Sequence, residues 1–324
     1  VDSLFFVGHR HRLIDDYGFE QITIPEHSPS DPEVIQERNT LVTRAVMSQI
    51  VEPDDFLLHD VAIHPDLYGI GVDRGCLQGY IYRDRKDKAD PVQVLHDRAP
   101  TIDNVYQLGH PGFTETREGI RILGVSNVMR PPLDSKSVWP PSSGEVKVVI
   151  TAGGGGHDDA EEFINAAIRA VSTLCVTQNI QASLIVVPGP FYKGSVKVGS
   201  NSPMAVRVVS YIGPQYCLYE ETDIIISQGG YNTVEELKTW GVKAVAVAGE
   251  RALDDQHARL AALADADHVL VSSSDTDEIT TCLRRLLSTG VVSAPVLPQP
   301  LGAIEIAEDI LALLGDGVSR EAVE

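Results

Sequence analysis

The chain has 324 residues, of which 43 % are hydrophobic and 22 % charged, with 27 glycines. That describes a compact soluble chain long enough for about two domains, and it excludes collagen, coiled coil and wholesale disorder. Lys and Arg number 26 against 46 Asp and Glu, a net charge of −20 at pH 7, so nucleic acid and anionic lipid surfaces are poor partners.

Short β-branched runs alternate with amphipathic stretches, the pattern of parallel sheets covered by helices on both faces. In chain order, strands are predicted at 4–7, 21–24, 56–59 and 76–82, with a helix inside 32–50. Proline and small polar residues from Arg130-Pro131-Pro132 to Pro140-Pro141-Ser142-Ser143-Gly144 can extend neither a sheet nor a helix interior. They mark a linker over 131–145 between a domain over 1–130 and one over 146–300. Beyond the linker, 148–150 reads as a buried strand, 151–157 as a glycine loop, and 158 onward as a helix with Phe163, Ala167, Ala170 and Leu174 at helical spacing. The strand at 184–187 stops at Pro188-Gly189-Pro190. Further strands fit 206–209, 224–227, 244–248 and 268–271, and helices fit 232–240, 255–264, 275–287 and 303–314, the last within a C-terminal helix and tail over 301–324. No apolar run approaches the roughly 20 residues of a membrane helix. Cys76, Cys175, Cys217 and Cys282 form no CxxC pair and have mostly apolar neighbours, so they are expected as buried thiols in a reducing compartment. The opening Val1-Asp2-Ser3 carries no basic region of a signal peptide, which predicts a cytoplasmic protein.

Three segments carry chemistry. In Thr151-Ala152-Gly153-Gly154-Gly155-Gly156-His157, between a strand and a helix start, backbone N–H groups and the helix dipole favour an anion, and glycines let a diphosphate approach closely. It is not a nicotinamide fingerprint: Asp158 takes the third glycine's place, and the next strand ends in Pro188-Gly189 instead of an acid. It also lacks the Gly-Lys-Ser/Thr ending of a Walker loop. The second segment is Asp223-Ile224-Ile225-Ile226-Ser227-Gln228-Gly229-Gly230-Tyr231-Asn232-Thr233-Val234-Glu235-Glu236-Leu237, where a strand delivers a Gly-Gly turn and Asn232 or Thr233 can cap the new helix. Glu236, about one turn beyond Asn232, is placed to accept hydrogen bonds from a ribose diol, while Glu235 suits a solvated first turn. The third is Gly249-Glu250-Arg251-Ala252-Leu253-Asp254-Asp255-Gln256-His257-Ala258-Arg259, beyond a strand's carboxyl end. Asp254 or Asp255 suits an ordinary N-cap, while Asp255 and Gln256 also offer an acceptor and an amide for sugar hydroxyls.

In this order and spacing the three segments resemble the carboxy-terminal donor domain of GT-B glycosyltransferases. The resemblance is closest to the family of the bacterial peptidoglycan N-acetylglucosaminyltransferase, with its family 28 C-terminal domain, and to its predicted-glycosyltransferase relatives. It covers 147–287, chiefly through Ser227 to Glu236 and Asp255-Gln256. It implies an α/β GT-B fold of two Rossmann-like domains facing a cleft. Gly153, Gly154, Gly155 and Gly156 with Gly229, Gly230, Tyr231, Asn232 and Thr233 would embrace the donor diphosphate. Glu236 would grip the ribose, Asp255 and Gln256 would reach the sugar, and the backbone around Ile212 would read the base. Such enzymes begin with a strand, a loop containing glycine and histidine, and a helix; Leu4-Phe5-Phe6-Val7-Gly8-His9 looks instead like their second strand, so the first β–α unit is expected to be missing. His9, His11 and His59 are the candidates for an acceptor base, with His59-Asp60 and Arg83-Asp84 after neighbouring strands; His110, before Pro111-Gly112, reads as turn chemistry.

The expected reaction is glycosyl transfer from a nucleoside-diphosphate sugar, UDP being the family's usual nucleotide, to a small-molecule acceptor. No cofactor and no metal are expected. The acid pairs Asp158-Asp159, Glu161-Glu162 and Asp254-Asp255 sit at helix starts where the dipole accounts for them, and no HExxH or GxSxG pattern occurs. A homo-oligomer or a partner chain covering the N-terminal domain is also expected. Two rivals remain open: a nucleotide-sugar 2-epimerase, and a non-catalytic nucleotide-sugar-binding subunit that needs a partner chain.

Overall fold

A computed structural model describes residues 5–8, 20–23, 32–60, 63–96, 99–129, 139, 145–199, 202–210, 221–249, 251, 254–263, 269–289 and 301–315. The chain forms two compact units, Val1–Val128 with Pro300–Glu324, and Met129–Gln299.

In the first unit β1 (Phe5–Gly8) and β2 (Glu20–Thr23) pair in parallel. After α1 (Glu33–Met47) come β3 (Phe56–Asp60), α2 (Pro65–Arg74), β4 (Leu77–Tyr82), α3 (Pro91–His96), β5 (Asn104–Leu108), β6 (Thr114–Arg117) and β7 (Ile120–Val125). The second sheet has the order β3-β4-β5-β7-β6, parallel throughout except for the antiparallel edge strand β6. The predicted strands appear with shifts of about a residue, while β5, β6, β7, α2 and α3 are additional. The exposed edge strand Thr-Glu-Thr-Arg presents no apolar alternation from which a strand could be read. Tyr80, Leu95, Val105 and Ile122 are among the side chains that fill this unit's core.

The C-terminal helix α8 (Leu301–Gly315) packs on β7 of this first unit. Arg121 donates both guanidinium nitrogens to Asp309 at 2.7 and 2.6 Å, and the Tyr106 hydroxyl donates to the same carboxylate at 3.0 Å. Glu305 accepts from the Ser126 N–H at 2.6 Å and its hydroxyl at 2.8 Å. Gly302 lies so near Ser126 that any side chain there would meet the carbonyl oxygen.

The second unit is one six-stranded parallel sheet built from β8 (Val146–Thr151), β9 (Ala182–Val187), β10 (Ala205–Val208), β11 (Ile224–Gln228), β12 (Ala244–Val247) and β13 (Val269–Ser272). Its spatial order is β10-β9-β8-β11-β12-β13, so the first and fourth strands of the unit lie side by side at its centre. This is the doubly wound order whose switch point between first and fourth strands opens a crevice at the carboxyl ends. Strand alternation divides the core cleanly. Val148, Ile150, Leu184, Val186, Ile224, Ile226, Val245 and Val247 face α4 (Ala160–Gln178) and α7 (Thr276–Ser288). Val149, Ile185, Val187, Ile225, Ala244 and Ala246 face α5 (Tyr231–Trp240) and α6 (Gln256–Leu263). Near-continuous apolar strands are what two covered faces require. The chain therefore has the expected α/β architecture of Rossmann-like sheets.

Cys76 and Cys175 are buried free thiols as expected, but Cys282 is half-buried; Cys217 lies outside the described residues. Among the described residues no helix is long and apolar enough to cross a membrane.

Candidate functional site

The two glycine-rich turns leave adjacent central strands. β8 ends at Thr151 and passes through the glycine loop into α4; β11 ends at Gln228 and passes through Gly229-Gly230 into α5. Both turns therefore flank the switch point of the sheet.

The four consecutive glycines have different reasons. Gly153 and Gly155 have φ of 62° and 72°, in the left-handed region that favours glycine. Gly155 is also packed under the β9 turn: an added Cβ would overlap the Pro188 carbonyl oxygen and lie 3.0 Å from its carbon and from Tyr192 Cβ. The loop is braced by Gly153 N–H donating to Thr151 Oγ1 at 3.2 Å, Gly155 N–H to Ala152 O at 3.2 Å and Phe191 N–H to Gly154 O at 3.0 Å. Gly154 and Gly156 are exposed, so the loop's accessible backbone lies at these two residues.

At the second turn the expected cap is corrected. Gly230, not Asn232 or Thr233, is the N-cap of α5, in an extended conformation with φ −63° and ψ 151° and no side-chain cap bond. Tyr231, Asn232 and Thr233 are the first three helical residues, and because the N-cap is glycine no cap side chain covers their N–H groups. Glu236 lies within α5 at 2 % exposure. Glu235 is also buried and pairs with Lys238 at 2.8 Å, so the expected solvated position for it is corrected: α5 is covered on more of its circumference than an amphipathic surface helix.

In the third segment Asp255 accepts the Ala258 N–H at 3.0 Å, as an N-cap of α6 does. Gln256 is buried; its Oε1 accepts from Gly249 N–H at 2.9 Å and its Nε2 donates to Asp254 Oδ2 at 3.3 Å, closing the turn between β12 and α6. Arg259 pairs with Asp254, donates to Gly229 O at 3.4 Å, and sits 5.2 Å from the Tyr231 ring centroid, which ties α6 to the Gly-Gly turn.

The sequence reading missed a cluster at the same strand ends. Arg251, beyond β12, donates Nη1 to Asp159 Oδ2 at 3.0 Å and Nη2 to Gln228 Oε1 at 3.3 Å. Burial alone would raise the Asp159 carboxyl, but the Arg251 guanidinium, with smaller help from Gln228 and His157, holds it below the usual carboxylate range. No sequence spacing could have announced a pair 92 residues apart.

In the first unit, His59 is buried near the end of β3, its Nε2 3.0 Å from Gln78 Oε1. Burial pushes the ring below its ordinary pKa, with the Gln78 hydrogen bond opposing. Asp60 pairs with Arg83 at 3.1 Å across the β3 and β4 carboxyl ends. His110, after β5, meets Asp84, after β4, at 2.9 Å, and both are exposed. The turn expected there is real, with Gly109 and Gly112 at φ 82° and 92°, but it also brings an imidazole to a carboxylate at the carboxyl edge of the sheet. His9, His11 and Ile212 lie outside the described residues. Among those described, no group of three or more metal-ligating side chains occurs.

Residues 148–289 match the glycosyltransferase family 28 C-terminal domain, the stretch that holds all three segments. That match identifies the second unit as similar to the donor domain of family 28 glycosyltransferases. The solved structures the chain resembles agree in fold. They include the spinosyn forosaminyltransferase SpnP, 14 % identical with a TM-score of 0.59 over 95 % of this chain and 91 % of that one. MurG of Acinetobacter baumannii is 16 % identical with a TM-score of 0.51 over 93 % and 87 %. The UDP-GlcNAc 2-epimerase of Methanocaldococcus jannaschii, solved with UDP-GlcNAc and UDP, is 10 % identical with a TM-score of 0.56 over 95 % and 99 %. No curated protein matches the sequence. The likeness to glycosyltransferases in sequence thus lies in the second unit.

Proposed function

We propose that this chain is a glycosyltransferase that moves a sugar from a nucleoside-diphosphate sugar, with UDP as the nucleotide, to an acceptor hydroxyl without a metal ion. The C-terminal unit holds the donor and the N-terminal unit serves the acceptor. The observation that carries this reading is the pair of glycine-rich strand-to-helix turns on adjacent central strands, flanking one switch point. Backbone N–H groups at Gly154 and Gly156 and at the start of α5 take the charge that builds on the departing diphosphate. Glu236 accepts from the ribose hydroxyls, and Asp255 with Gln256 borders the sugar.

In the transfer the acceptor oxygen bonds the anomeric carbon, the bond from that carbon to the diphosphate oxygen breaks with its electron pair leaving on the nucleotide, and the acceptor proton goes to a base. We assign the base to His110, oriented by Asp84, because it combines exposure with a carboxylate partner whereas His59 is buried. His9 and His11 are the histidines to compare with it. His110→Gln should lower turnover about 10²–10⁴-fold while leaving UDP affinity unchanged.

The test is incubation with UDP sugars and a panel of small hydroxyl acceptors, following UDP release and sugar on the acceptor. The likeness to 2-epimerases supports one rival, read in the same assay as conversion of the unconsumed donor to its 2-epimer. Donor binding with neither outcome would leave the binding-subunit reading, and failure to bind UDP would remove the donor assignment.

A further inference from the structure

We propose that Arg251 is a ligand for the donor diphosphate, which Asp159 holds as an internal counter-ion until the donor takes it over. The inference rests on the donor-site reading above and adds a charged group to it.

Arg251 reaches two of the three loops at the strand ends from the third. It bonds Asp159 at the start of α4 at 3.0 Å and Gln228 at the end of β11 at 3.3 Å. A Cβ on Gly249, just beyond β12, would lie 2.6 Å from both Arg251 Nη1 and Asp159 Oδ2, so the ion pair rests against backbone at the carboxyl edge of the sheet. The two partners differ in access: the Arg251 side chain is 9 % exposed and that of Asp159 is 38 % exposed. Asp159 is the more exposed partner, yet its Oδ1 is buried and accepts no hydrogen bond, so the pair leaves half of the carboxylate unsatisfied and is the weaker hold on Arg251 for it.

Asp159 also occupies the N-cap position of α4 without making a cap bond, its carboxylate being turned to Arg251 instead. Once its backbone, helical here at φ −80° and ψ −7°, turns to the extended form of a capping residue, Asp159 has an alternative partner in the helix N–H groups, so releasing Arg251 need not strand it. A planar guanidinium is suited to two phosphate oxygens at once. In a chain of net charge −20, a cation kept neutral by an exchangeable carboxylate lets a buried arginine persist without donor and offers positive charge when one binds.

The test measures UDP and inorganic pyrophosphate binding by calorimetry, with thermal unfolding alongside. Arg251→Ala should weaken both ligands roughly tenfold to a hundredfold, the span of a charge-assisted hydrogen bond, with Arg251→Lys in between. Asp159→Asn should act in the opposite direction and tighten UDP about twofold to fivefold, because it removes the competing anion. Asp159→Ser, which can cap α4, gives the same reading if the asparagine variant does not fold. A bridge that merely braces the loops predicts loss of affinity in every variant, in step with lost thermal stability. Weaker UDP binding by both Asp159 variants, or unchanged binding by Arg251→Ala, overturns the proposal while wild-type UDP binding upholds the donor site. Wild type that binds neither UDP nor pyrophosphate overturns both.

Discussion

Two glycines of one loop provide a sharp test because their geometry differs while their chemistry is the same. Gly155 has φ 72° and Gly153 has φ 62°, so an alanine at either must adopt a left-handed backbone, at about 1–2 kcal/mol. At Gly153 no atom lies within 4 Å of the new Cβ, and the conformational term is the whole cost. At Gly155 the Cβ would overlap the Pro188 carbonyl oxygen, a backbone atom that no rotamer change can move away. Restoring an ordinary carbon–oxygen separation of ~3.4 Å requires the loop to move by about 1.4 Å. Such overpacking adds about 1–3 kcal/mol, for about 2–5 kcal/mol in all. A loop displaced by about 1 Å can lose on the order of 10²-fold in a positioned interaction, so Gly155→Ala should reduce UDP affinity by about tenfold to a hundredfold. Gly153→Ala should lower stability modestly and keep most of the affinity. Calorimetric titration with UDP and urea unfolding of both variants provide the check. Equal behaviour of the two, or wild-type affinity in Gly155→Ala, would refute the claim that the β9 turn sets the shape of the glycine loop.

Glu236→Ala should weaken UDP by about 1.5–3 kcal/mol, and equal affinity in wild type and variant would take Glu236 out of the site. UDP affinity should be the same in EDTA and in magnesium; a large loss on chelation would return Asp158, Asp159, Asp254 and Asp255 to consideration as cation ligands. Asp309→Ala should destabilise the first unit by about 2–3 kcal/mol, the low end for a broken pair because Arg121 is 32 % exposed. Denaturant unfolding of that variant beside Arg121→Met and the double variant measures the coupling, and additive effects would show that the Arg121–Asp309 pair does not hold the helix. His59 has a folded pKa below its unfolded value of 6.5, so the unfolded chain binds the extra proton first and stability should fall as pH drops below about 6.5. Melting curves from pH 7.5 down to 5.5 should show that slope reduced in His59→Gln; an identical slope would mean the ring does not drive it.

The sequence by itself determined the character of the second unit. Strands buried on both faces must be apolar at nearly every position, so Val148 to Ile150 and Ile224 to Ile226 are legible without a structure. A turn that passes through the left-handed region needs glycine, as at Gly153 and Gly155, so the runs Gly153 to Gly156 and Gly229-Gly230 stand out locally, and their order with Asp255-Gln256 carried the family resemblance. Strand pairing, by contrast, is a relation between distant segments. Only the tertiary structure made β8 and β11 neighbours and set both turns at one switch point. It brought Arg251 to Asp159 and His110 to Asp84, and it returned α8 to β7 of the first unit. Each of those residues has an ordinary local use, as a helix-start acid, a turn histidine or a solvated charge, and local propensity is satisfied either way. Electrostatic partnership acts through space over a few ångströms, so it becomes visible only when the fold has closed the distance.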